Sequence, residues 1–141
     1  MLEEFRKIER FRVAFADVDM LRHVNNLAYM RWAEASRSEY FAEILGEEIG
    51  GARGMILASS KIAYEKPLVY REQVALGCRI GRVGSKSFDF LHEIWSVDRN
   101  LRAAHIETTL VAIDYASGGT IAVPTQWRTR IAEFESTMVG V

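Results

Sequence analysis

Residues 27–45, LAYMRWAEASRSEYFAEIL, decide how the rest of the chain is read. The stretch is rich in helix formers, holds neither Gly nor Pro, and stops at Gly46. Glycine just past the last apolar residue is a helix stop signal, because it adopts the left-handed conformation without steric cost. Met30, Ala33, Arg37, Tyr40, Phe41 and Ile44 recur at helical spacing and predict one buried stripe. The small residues Ala33, Ala35 and Ser36 let such a helix approach a sheet closely. Asn25 or Asn26 is placed to cap its first free N–H groups with a side-chain oxygen.

Working outward, residues 7–16 (KIERFRVAFA) alternate, with Phe11, Val13 and Phe15 on one apolar side, which predicts a strand. Residues 17–26 are polar and irregular, a loop. Beyond the glycine-rich stretch 50–54 come four strand-like runs, at about 55–65, 72–83, 86–98 and 101–114. Pro67, Gly84-Ser85 and Asp98-Arg99-Asn100 mark the turns, and the short connections favour an antiparallel meander. Residues 125–135 suggest a short C-terminal helix. One long helix with an apolar stripe needs a partner for that face, so about five antiparallel strands must wrap it. The expected class is α+β, in one domain over residues 1–141.

Composition narrows the function. A chain of 141 residues can bury a real core, and 49% hydrophobic with 26% charged residues is ordinary for a soluble globular protein. A net charge of −1 offers no electrostatic footprint for nucleic acid or an anionic membrane. The single cysteine, Cys78, allows no internal disulfide and stands in no metal-ligand spacing, so it reads as a small apolar residue. The stretch MLEEFRK, acidic and without an apolar run, does not read as a signal peptide of the usual kind, and no apolar run is long enough to span a bilayer. The expected compartment is the cytoplasm.

The chemistry lies in residues 15–29, FADVDMLRHVNNLAY, which leave a strand and open the helix. Asp19 stands seven residues before Asn26. Free N–H groups at a helix start form an anion site. A carboxylate beside such a site suits a reacting group held between them, and a thioester fits: its oxygen on the N–H groups, its carbon facing the carboxylate.

This stretch resembles the 4-hydroxybenzoyl-CoA thioesterase group of hotdog proteins. The shared pattern, Asp-x-Asp-x-x-x-His-Val-Asn-Asn-x-x-Tyr with Glu and Ala-x-Arg downstream, is met by Asp17, Asp19, His23, Val24, Asn25, Asn26, Tyr29, Glu34 and Arg37. Tyr64-Glu65-Lys66-Pro67, the Gly84-Ser85-Lys86-Ser87 hairpin and Val123-Pro124 extend the likeness over nearly the whole chain. The resemblance implies a hotdog fold, hydrolysis of an acyl-CoA thioester, and no metal or cofactor, CoA being part of the substrate. It places the catalytic carboxylate at Asp19 and the oxyanion donor at the N–H near Asn26. It also implies an active site at the interface of a homodimer, which can pair into a tetramer.

Other residues carry weaker expectations. Asp17 is a turn or cap residue, and His23 either orders the loop or touches substrate. Asn25 is a cap that positions the oxyanion donor. Tyr29 and Trp32 are expected to line the acyl pocket. Glu34 and Arg37, three apart on the helix, are expected to pair, with Glu34 second to Asp19 as a catalytic carboxylate. Ser85, Lys86, Ser87 and Arg71 are candidates to meet CoA, with Arg79 and Arg82 behind them. His92 and His105, inside strands, read as structural. The competing functions are an acyl-carrier-protein thioesterase and a non-catalytic binder of acyl-CoA or acyl-carrier protein. A hydratase would need a His/Asp pair in a different helix context.

Overall fold

The computed structural model describes residues 1–136. Strand β1 is Lys7–Arg12, helix α1 is Asn26–Glu43, and β2 is Arg53–Tyr64. Strands β3 (Gln73–Val83), β4 (Ser87–Ser96) and β5 (Leu101–Asp114) follow, then the two-residue β6 (Gly119–Thr120) and helix α2 (Thr125–Glu135). The main strands form one antiparallel sheet in the order β1-β3-β4-β5-β2, and β6 pairs the end of β5.

Helix α1 lies against one face of this sheet. Ala28 and Ala33 are fully buried, and their lack of bulk lets the helix seat closely. Strand β4 alternates without a break and turns Phe88, Phe90, His92, Ile94 and Ser96 inward. Two apolar clusters result. Around the first half of α1 are Tyr29, Leu68, Val74, Leu76, Ile94 and Ile106. Around its second half, Tyr40 and Phe41 pack with Phe88, Phe90, Trp127 and Ile131. Helix α2 closes that second end, and Glu135 ties it down by accepting from Ile80 N–H at 2.7 Å, where β3 bulges. The stop at Gly46 is realised with φ of +72°. The last turn of α1 closes through Leu45 N–H to Tyr40 O and Glu47 N–H to Phe41 O.

Two expectations need correction. The strand read over 7–16 ends at Arg12. Val13 stays buried, but Phe15 is 80% exposed, because Phe15–Asp17 form a single 3-10 turn. Asp17 Oδ2 accepts from Ala14 N–H at 3.1 Å and closes it. Alternation alone does not reveal a turn whose first residue is apolar. The sheet also carries a sixth strand, β6, too short to leave a periodic trace. Strand β2 is an edge strand, and residues 56–61 (ILASSK) are exposed on both faces.

Candidate active site

The segment between β1 and α1 folds into a narrow loop. Val18 bridges Val24, Asn25 N–H donates to Asp17 O at 2.7 Å, and Val24 N–H donates to Leu68 O at 2.8 Å. At the tip, Arg22 N–H reaches Asp19 O at 3.0 Å, with Arg22 in the left-handed region at φ of +71°. A non-glycine residue there works against its preference, and such positions collect at functional sites.

This loop fixes the Asp19 carboxylate with two donors. Oδ1 accepts from Leu21 N–H at 2.9 Å, and Oδ2 accepts from Asn25 Nδ2 at 3.2 Å. The carboxylate stays half-buried and forms no ion pair among the described residues. Asp17, by contrast, is spent on structure, capping Ala14 and pairing with Arg31 at 3.1 Å.

Asn25 is the cap of α1, with Oδ1 accepting from Leu27 N–H at 2.9 Å. Ala28 N–H donates to Asn25 O at 2.9 Å. Of the first N–H groups, that of Asn26 is left with no acceptor among the described residues, and Asn26 is exposed. The Tyr64 hydroxyl donates to Asn26 O at 3.1 Å and holds this peptide from the end of β2. A donor without an acceptor at the positive end of an 18-residue helix, seven residues on from a fixed carboxylate, suits stabilisation of an oxyanion.

Two recesses border the loop. One, of about 290 Å³, lies between Asn26, Tyr29, Tyr64 and Pro67. The other, of about 480 Å³, is bordered by Phe15, Val18, Asp19, Met20, Arg22 and Tyr70. Tyr29 borders the first of these, its ring edge-on to Tyr64 with centroids 5.2 Å apart. Trp32 borders neither recess, and its ring sits between Phe11 and Tyr29 at 4.9 and 5.4 Å.

The remaining expected residues scatter. The His23 carbonyl accepts from Asp19 N–H at 3.4 Å, while its side chain is exposed. Glu34 is exposed two turns up the helix, and the expected ion pair with Arg37 is not formed. Arg37 instead points under the helix and is buried, its Nη1 without a partner, and burial pulls its pKa down. Arg71 lies at the same end of the sheet as Asp19, its guanidinium 5.9 Å from the Tyr70 ring centroid. Ser85, Lys86 and Ser87 lie at the far end of β3, whose 11 residues span roughly 35 Å at about 3.3 Å each. Within one chain this hairpin is not brought to Asp19. Its carbonyls are bound internally, Ser85 O by Val123 N–H and Lys86 O by Ala112 N–H. Ser87 Oγ accepts from Arg82 Nη2 at 3.0 Å. His92 is buried with neither ring nitrogen bonded, and burial pushes its pKa down to about 3. It faces the helix from β4, as a structural residue would. Tyr64, Phe15, Met20 and Tyr70 border the site without having been singled out. Aromatic residues in loops gave the only hint of Phe15 and Tyr70, and nothing pointed to Met20.

Comparison with known proteins agrees with this architecture. The model of the thioesterase-like superfamily matches residues 13–138. A thioesterase from Thermus thermophilus, solved with coenzyme A and zinc, superposes with a TM-score of 0.84 at 28% identity, covering 95% of this chain and 97% of that one. A candidate thioesterase from Pseudomonas aeruginosa gives 0.81 at 28% identity, with 91% and 99% covered. A 1,4-dihydroxy-2-naphthoyl-CoA thioesterase from Synechocystis gives 0.77, with 89% and 95% covered, and its 16% identity speaks for the fold alone. No curated protein sequence matches the chain. The fold is the hotdog fold, a long helix wrapped by an antiparallel sheet.

Proposed function

The chain belongs to the thioesterase-like superfamily, and on that footing we propose that it hydrolyses an acyl-CoA thioester to a free carboxylic acid and CoA. One observation carries the reading. A carboxylate held by two donors and an unpaired helix-start N–H stand on the same short loop, joined through Asn25. The thioester oxygen is taken by Asn26 N–H, and the carbonyl carbon faces Asp19.

Asp19 acts in one of two ways from this one position. As nucleophile it attacks the carbon, the C–S bond breaks with loss of CoA thiolate, and water then cleaves the mixed anhydride. As general base it takes a proton from water, whose oxygen attacks the same carbon. Asn25 keeps both oxygens aimed by filling one lone pair of Oδ2.

The working unit in this reading is a homodimer. Strand β2 exposes a long edge, and residues 56–61 on it face solvent on both sides. Natural proteins seldom leave such an edge unpaired. Antiparallel pairing of two β2 edges reverses the partner's strand. The partner's Ser85–Ser87 end of the sheet then comes to the side of this subunit's Asn26, which gives Lys86 a route to the CoA phosphates that one chain lacks.

The test is thiol release from a panel of short, long, aromatic and hydroxylated acyl-CoAs, with wild type and Asp19→Asn in parallel. Turnover in the wild type that collapses in the variant supports the reading. Equal turnover in both would falsify the role of Asp19.

A further inference from the structure

Two consecutive peptide units open helix α1, and both are held. The unit between Asn25 and Asn26 has its oxygen engaged by Ala28 N–H at 2.9 Å, and its own N–H is the one without an acceptor among the described residues. The unit between Asn26 and Leu27 is gripped at both polar atoms by side chains. Its N–H donates to Asn25 Oδ1 at 2.9 Å, and its oxygen accepts from the Tyr64 hydroxyl at 3.1 Å. Asn25 comes from the Asp19 loop, whereas Tyr64 comes from the end of β2, 38 residues beyond Asn26.

The Asn25 contact is a cap from which any α-helix gains stability. The Tyr64 contact is different in kind. The oxygen of the first helical residue accepts from the N–H four residues on, here that of Met30, so Asn26 O has a partner without Tyr64. Tyr64 is 50% exposed, and water can satisfy its hydroxyl. Neither group needs the other to escape being buried and unpaired. What the bond adds is a fixed position of the helix start relative to the sheet.

The strand end that carries Tyr64 is firm. Tyr64 pairs with Ala104 of β5, and the next two N–H groups, of Glu65 and Lys66, both donate to Ala103 O, at 2.8 and 3.0 Å. The phenol ring is seated edge-on against Tyr29. Its hydroxyl therefore sits in one place and holds the peptide oxygen there. With the peptide planes on both sides of the Asn26 Cα fixed, the free N–H has one direction. A donor aimed in advance needs no reorganisation when charge develops on a thioester oxygen.

We propose that Tyr64 is a positioning residue of the oxyanion site: its hydroxyl, bonded to Asn26 O, holds the helix start so that Asn26 N–H points at the developing oxyanion. This rests on the thioesterase reading, in which Asn26 N–H takes the thioester oxygen. Tyr64 itself transfers no proton and makes no bond to the reacting atoms. Its contribution belongs to the transition state, so its loss is read in kcat and not in KM.

The test is Tyr64→Phe, which keeps the ring against Tyr29 and removes only the hydroxyl. Turnover is measured with whichever of acetyl-, octanoyl- and benzoyl-CoA the wild type hydrolyses fastest, and circular dichroism and light scattering compare fold and assembly. The expected fall in kcat is on the order of tenfold, less than the roughly 10²–10³-fold of losing an oxyanion donor outright, with KM within about twofold of the wild type. A second readout is isotope-edited infrared difference spectroscopy of the same acyl-CoA, with ¹²C or ¹³C at the thioester carbonyl, bound to Asp19→Asn and to Asp19→Asn/Tyr64→Phe. The carbonyl stretch should lie below that of the free thioester in the first protein and move back toward it in the second. A tyrosine that serves the structure alone leaves that frequency where it is.

An unchanged kcat overturns the proposal, as does a carbonyl frequency that Tyr64→Phe does not move. So does a rise in KM with kcat kept, which makes Tyr64 a direct contact of the substrate. Loss of fold or assembly in Tyr64→Phe overturns it too, because the hydroxyl then serves the structure. In each of these cases, loss of turnover in Asp19→Asn leaves the thioesterase reading standing. Full activity of Asp19→Asn, no turnover of any of the three substrates by the wild type, or a bound thioester with the carbonyl frequency of the free one removes that reading and the proposal with it.

Discussion

Asn25 donates through Nδ2 to Asp19 Oδ2 at 3.2 Å, and through Oδ1 it accepts from Leu27 N–H at 2.9 Å. One amide therefore sets both the carboxylate and the first turn of α1. The two halves of the proposed chemistry share a mechanical link, and disturbing it should affect stability and turnover separately. Asn25→Ala loses the cap and should cost about 1 kcal/mol in urea unfolding, with turnover down roughly tenfold or more. Asn25→Asp keeps a capping oxygen and should recover the stability. It should not recover turnover, because a second carboxylate then faces Asp19 in place of a donor. Recovery of both would mean that Asn25 acts on the helix alone.

The route taken by Asp19 leaves an isotopic record. Asp19→Asn is expected to lower kcat on the order of 10²–10⁴-fold. In ¹⁸O-water, a single turnover with excess enzyme distinguishes the two routes. Attack by Asp19 followed by hydrolysis at the aspartyl carbon puts label into the protein, whereas general-base hydrolysis puts it only into the released acid. Mass spectrometry of the Asp19 peptide reads the difference.

The edge of β2 offers a direct test of assembly. Leu57, on the exposed stretch, is 43% exposed in one chain. Leu57→Lys places a charge where the second β2 is proposed to pair, a device natural edges use against association. Light scattering should show a shift toward monomer, and turnover should fall with it. A variant that stays dimeric and active would put the interface elsewhere.

His92 makes the fold sensitive to acid. Its pKa in the folded chain is pushed down to about 3 by burial, with Arg37 and Lys7 adding to the effect, against an ordinary value of 6.5. Between these values the unfolded chain binds a proton that the folded chain refuses. The stability is thus fully present above 6.5 and is lost as pH falls toward 3. From about pH 7.5 to about pH 5 this one residue should cost roughly 2 kcal/mol. Denaturant unfolding at both pH values should show His92→Leu losing that much less than wild type.

Cys78 should be silent in the native protein. Its thiol is fully buried and burial pushes its pKa up to about 12, so almost no thiolate exists near neutrality. Ellman's reagent should react with Cys78 only after denaturation. Rapid native labelling would show that β3 opens. The result matters in practice, since the same reagent can then count released CoA without a background from the enzyme.

Local chemistry is legible in the amino-acid sequence by itself. The helix expected over residues 27–45, found as Asn26–Glu43, and its stop at Gly46 follow from spacing and from the absence of Gly and Pro, while of the two candidate caps, Asn25 and Asn26, the structure uses Asn25. β5 and α2 run as their patterns indicate, because those signals are periodic over many residues. The neighbourhood of Asp19 and Asn26 is legible for the same reason, as they lie seven residues apart on one loop. Tertiary structure decided what depends on approach between distant segments. It sent Phe15 outward, since a turn closed by Asp17 outweighs alternation that continues in sequence. It left Glu34 and Arg37 apart, since Arg37 is drawn beneath the helix while Glu34 faces water. It brought Tyr64 to the Asn26 carbonyl and Tyr70 to Phe15 across separations of 38 and 55 residues, contacts that no local spacing encodes because they depend on how the sheet curls round the helix.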